Sequence, residues 1–180
     1  MAITKLIGSS LTNDTINATQ LDETANYDFT GTVTGAGESN VPLFFAKTSG
    51  TTSVNSGTVT KIDFDTATVD TNSGFDTTNN KYTIQSGHAG KYIFHFIAKM
   101  RSATLHKVRE SDIQLFKNGS SICSNNSTYN QNLALQYSTD GFFMVDASVG
   151  DYFEVYAKMT IDSGTGNVNN GFFIGYKVTA

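Results

Sequence analysis

The stretch Gly90-Lys91-Tyr92-Ile93-Phe94-His95-Phe96-Ile97-Ala98-Lys99-Met100-Arg101 decides how the chain is read. Side chains alternate faces along a β-strand, so Tyr92, Phe94, Phe96, Ala98 and Met100 share one face. Ile93, His95 and Ile97 lie on the other. A strand with one wet face carries polar residues there, yet this one carries two isoleucines. Gly171–Val178 repeats the pattern, with Phe172, Ile174, Tyr176 and Val178 on one side and Phe173 with Gly175 on the other. Tyr152-Phe153-Glu154-Val155-Tyr156 is also apolar on both faces. Either the chain's own loops cover such a sheet, or other subunits do. The second reading is preferred, and a closed ring such as a trimer is one arrangement that achieves it.

Outward from that strand the pattern is strands and turns. Val41–Lys47, Val59–Phe64, Tyr82–Ile84, Asp112–Lys117, Leu133–Tyr137, Phe142–Val145 and Asp151–Thr160 read as further strands. Asn118-Gly119 is a strong hairpin signal. Ser138–Gly141 reads as a polar break, residues 118–132 as a Ser/Asn loop, and Leu105–Glu110 as at most a helical turn. Eight to ten strands with almost no helix predict an all-β sandwich or barrel.

Composition narrows the function. The chain has 180 residues, a net charge of −4 and only 16% charged residues. Without basic runs it is poorly suited to neutralising phosphates, so no nucleic-acid partner is expected. No apolar stretch is long enough for membrane insertion. Cys123 is the lone cysteine, which excludes an internal disulfide and a Cys-based zinc site. Thirteen Phe and eight Tyr can fill a core. The opening Met-Ala-Ile-Thr-Lys lacks the shape of a secretory signal, so synthesis in a host cytoplasm is expected. The triplets at Asn13, Asn17, Asn118, Asn125 and Asn126 are then read as surface polarity rather than glycosylation.

Residues 1–38 differ from 39–180. Their large apolar residues are thinly spread and end in a glycine cluster. They read either as a flexible tail or as an arm that docks on something else; the arm is preferred, with Ile3, Leu6, Ile7, Leu11, Ile16 and Leu21 as anchoring residues. The remainder reads as one domain.

Catalytic and metal patterns are weak. His88, His95 and His106 form no paired ligand motif. His95 on an apolar face reads as an interface histidine. Asp70-x-Asn72-x-Gly74 lacks the rest of a calcium loop and reads as a polar turn. Asp63 and Asp65 read as a solvated strand face, and Cys123 as inert. No cofactor, metal or enzymatic activity is expected.

The spacing around the opening strand resembles that of the globular head of complement component one-q and its tumour-necrosis-factor relatives. Phe64, five residues, Asp70, four residues and Phe75 match the opening of that signature. Ile84, five residues, Gly90, Tyr92, Phe94 and Phe96 match its close. Ile84 stands where the family has Phe, and two extra residues separate Phe75 from Ile84. The resemblance covers about residues 41–180. It implies a ten-stranded, two-sheet jelly roll assembled as a homotrimer, with the counterparts of Gly90–Arg101 and Gly171–Val178 at the threefold axis. Ile93, His95, Ile97 and Phe173 are the expected trimer interface.

The leader from Ile3 to Asp22 is similar to those on tail and capsid appendage proteins of phages. It implies a virion structural protein, a capsid-decorating or fibre trimer held to capsid or tail proteins by its arm. The alternative is a receptor-binding tip that recognises a host surface glycan or protein. For that role the candidates are Arg101, His106, Lys107, Arg109, Asn125, Asn126 and Tyr129, taken as exposed loop residues.

Overall fold

A computed structural model describes residues 42–103, 108–129 and 135–178. The described residues form twelve strands: β1 (Leu43–Lys47), β2 (Thr52–Val54), β3 (Thr60–Lys61), β4 (Thr66–Asp70), β5 (Phe75–Asp76), β6 (Lys81–Thr83), β7 (Gly90–Ser102), β8 (Val108–Lys117), β9 (Ser120–Thr128), β10 (Gln136–Ala147), β11 (Tyr152–Ile161) and β12 (Gly166–Val178). They build two antiparallel sheets. The first runs β10-β7-β12-β1-β4, with β2 against β12; the second runs β5-β6-β11-β8-β9, with β3 against β11. This is the two-sheet jelly roll, with twelve strands rather than ten. The surplus comes from short pieces of two or three residues, such as β2, β3 and β5, where the chain pairs briefly while changing sheets.

The core lies between the sheets and is aromatic. Tyr92, Phe94, Phe96, Ala98 and Met100 of β7 are all fully buried. Phe94 meets Phe153 of the opposite sheet at 4.4 Å between ring centroids, and Phe44 stacks on Tyr82 at 4.2 Å. Glycines make room for these rings: a Cβ at Gly175 would fall on Phe44 and Phe94, and one at Gly141 on Phe96.

Three local readings are corrected. Ser120–Thr128 is a strand, paired with β8 along its length, not a loop. The Asn118-Gly119 turn, with φ of 52° and 80°, starts it. At a sheet edge, backbone pairing tolerates Ser and Asn on both faces. Ser138–Gly141 lies inside β10, because Thr139 and Gly141 face inward and are buried. Val108–Glu110 opens strand β8 instead of ending a helical turn; residues 105–107 are outside the described residues.

Candidate interaction face

Directly opposed residues in an antiparallel sheet share a face, so the strand register lays out the outer surface of the first sheet in rows. The central row is Phe142–His95–Ile174–Phe45–Val69. Below it runs Met144–Ile93–Tyr176–Leu43. Above it runs Asp140–Ile97–Phe172–Lys47–Thr66. These rows form one apolar face with His95 at its centre. Phe142 is 62% exposed and Met144 52% exposed, while Leu43, Val69 and Tyr176 are exposed to a lesser degree. The His95 ring stands edge-on to Phe172 at 5.3 Å and 6.4 Å from Phe142.

Charged and polar rows border the apolar face. At one end Lys91 and Asp146 pair at 2.7 Å. At the other lie two polar rows, Ser138–Lys99–Asn169 and Gln136–Arg101–Asn167–Ser53.

The expected interface residues divide between the two faces. Ile93, His95 and Ile97 lie together on this outer face, half-buried. Phe173 does not join them. It is fully buried between the sheets, against Phe44 at 4.9 Å and Phe94 at 5.7 Å. The reason is register: Phe173 sits opposite Phe96, an inward residue, whereas Phe172 sits opposite Ile97. Phe172 therefore takes the place assigned to Phe173. Phe142 and Met144 also escaped assignment, although they alternate along β10 as the isoleucines do along β7.

The outer face of the second sheet is chemically different. Its carboxylates are satisfied within the chain. The Thr160 hydroxyl donates to Glu110 at 2.7 Å, and Asn126 donates to the same carboxylate. These two bonds hold the Glu110 carboxyl below its ordinary range. Ser124 donates to Asp112 at 2.7 Å, and Lys61 to Glu154 at 3.1 Å. Phe116 and Tyr156 cover one another at 4.1 Å.

The candidate receptor residues are not brought into one patch. Arg101 is exposed at the end of β7, on the first sheet. Arg109, in β8 of the second, is held by Asp162 through bonds of 2.8 and 2.9 Å. Asn125 and Asn126 stand on strand β9, on alternate faces. Asn125 donates to the Asp140 carbonyl at 2.6 Å. Tyr129 stacks on Tyr137 at 3.5 Å. His106 and Lys107 lie outside the described residues, as do the six anchoring positions Ile3, Leu6, Ile7, Leu11, Ile16 and Leu21.

Elsewhere, Asp70 accepts from the Gly74 and Phe75 amides at 3.1 and 2.9 Å, closing the turn between β4 and β5. Asp63 and Asp65 have separate partners, Thr52 and Asn80 for the first and Ser49 for the second. Cys123 is half-buried, and burial followed by the nearby Asp112 charge raises its thiol pKa. Among the described residues no three His, Cys, Asp or Glu side chains converge as metal ligands.

No protein-family model matches the chain, and no curated protein matches it in sequence. Solved structures do match. The globular domain of zebrafish complement 1qA protein is similar at 16% identity and a TM-score of 0.56, covering 77% of this chain and 98% of that one. The Eiger tumour necrosis factor of S. frugiperda is similar at 13% identity and a TM-score of 0.52, covering 76% of this chain and 90% of that one. At these identities the likeness concerns the backbone. Together with the two antiparallel sheets, it identifies the fold of this domain as the jelly roll that those two proteins share.

Proposed function

We propose that the chain is a non-enzymatic structural protein of a phage particle, a homotrimer whose copies pack through the outer face of the first sheet. One observation carries the self-association: a continuous apolar face, with Phe142 and Met144 more than half exposed, beside a second sheet whose outer face is polar and internally satisfied. Monomeric proteins rarely leave such a contiguous patch open to water. The resemblance in the sequence supports three copies. The particle role rests on the leader alone, with residues 1–38 as the anchor to capsid or tail proteins. Three arms acting together would hold firmly even if each binds modestly.

Sedimentation of Ile97→Asp tests the association. A charge in each copy of a dry interface costs several kcal/mol, so the variant is expected to sediment as a folded monomer. A stable trimer would remove Ile97 from the contact. Deleting residues 1–30 tests the anchor. The truncated protein is expected to stay trimeric and β-rich but to be missing from particles. Normal incorporation would exclude the arm as the anchor.

A further inference from the structure

The polar rows beyond Ile97 hold a second feature of this face. Lys99 and Arg101 stand side by side on the outer face of β7, and every residue opposite them is uncharged: Ser138 and Gln136 on β10, Asn169 and Asn167 on β12. Among the other described cations, Lys61, Lys91, Arg109, Lys117 and Lys158 face carboxylates and Lys81 lies over the Tyr152 ring, while exposed Lys47 stands in the Ile97 row of the same face, between Phe172 and Thr66. The side chains of Lys99 and Arg101 have no acceptor among the described residues. The patch is locally basic in a chain whose net charge is −4. Asp140, diagonal to Lys99 in the next row, is the nearest carboxylate in this register.

A second observation lies in the same rows. The side-chain oxygens of Asn167 and Asn169 are buried and accept no hydrogen bond. A buried acceptor without a donor has lost its water and gained nothing in return, and these two adjoin the two cations. Cations alone would suit any oxyanion. Cations beside unsatisfied amide oxygens and Ser hydroxyls suit an anion that also brings hydroxyl donors.

We propose that Lys99, Arg101, Asn167 and Asn169 form a binding site for an acidic saccharide. The carboxylate meets the ammonium and guanidinium, and ring hydroxyls donate to the amide oxygens. This goes beyond the structural role. Each copy carries all four residues, so the site is complete in one chain.

Calorimetry on the full chain tests it with three probes: a galacturonate trisaccharide, the neutral galactose trisaccharide and sulfate alone. The uronate is expected to bind at least about tenfold tighter than either of the others, a difference of ~1.4 kcal/mol. Its affinity should fall with added salt. K99Q/R101Q should erase the preference over the neutral sugar. N167A/N169A should weaken both sugars and leave sulfate unchanged. Equal binding of the two trisaccharides, sulfate binding as tightly as uronate, no binding of uronate, or a preference that survives K99Q/R101Q would each overturn the site. Sedimentation of the same samples reports assembly separately, so failure of the trimer and failure of the site give different signatures.

Discussion

Phe94 shows how much one residue carries. Its ring meets Phe153 across the core and lies near Phe44, Tyr92 and Phe173. Phe94→Ala is expected to cost about 3–5 kcal/mol, measured by denaturant titration; a loss under about 1 kcal/mol would mean the ring is not in the core. Asp151 carries a different load. Partial burial works to raise its pKa, but bonds from Lys117, the Ser148 amide and Asn118 prevail and bring it from 3.8 to about 2. A carboxyl that ionises more readily when folded contributes stability above its unfolded value. That contribution is lost as pH falls through about 2. With solvent screening it amounts to on the order of 1 kcal/mol. Asp151→Asn should therefore lower stability at neutral pH, and the gap should close in acid. A gap that persists at the acid end would assign the effect to packing rather than charge.

At the scale of elements, legibility followed side-chain pattern. β7 was plain because both its faces are apolar and its period is two. β9 was hidden because Ser120–Thr128 has almost no apolar alternation; only its backbone pairing with β8 makes it a strand. β4 was missed for another reason: Ala67 and Val69 do alternate with Thr66, Thr68 and Asp70, but the run is short and carries no large buried side chain. Phe172 and Phe173 were interchanged because neighbouring aromatics on a strand buried on both faces carry no label of inside or outside. That label comes from register, and the bulge between Asn169 and Phe172 shifts the register in a way that spacing does not reveal. The polar end of the first sheet stayed illegible because Lys99 and Asn169 are far apart in sequence and meet only across β7 and β12. The turn that starts β9 can be tested directly. Gly119 has φ of 80°, so Gly119→Ala is expected to cost about 1 kcal/mol, seen as a lower thermal midpoint. An unchanged midpoint would mean the turn relaxes without strain.

For the whole molecule, the expected fold class and the pairing of two antiparallel sheets agree with the structure, while the proposed assembly sets how stability should behave. If copies cover the apolar face, folding and association are linked, and the thermal midpoint rises with protein concentration. Calorimetry over a hundredfold dilution series checks this; a midpoint independent of concentration would describe a monomer.

The open edge of the first sheet has a kinetic side. β10 carries Phe142 and Met144 on a strand that borders only β7 within its sheet. If copies cover the apolar face, a newly made chain folds before it meets its mates. Until then, sticky side chains and a free strand border stand next to each other on one molecule. Yield then becomes a race between productive encounter and indiscriminate clumping, and slow synthesis at low chain concentration lengthens the dangerous interval. A solubilising change at Met144 would then ease production of the isolated subunit while handicapping its association, so the best-behaved protein in the tube would be the poorest at finding its own copies.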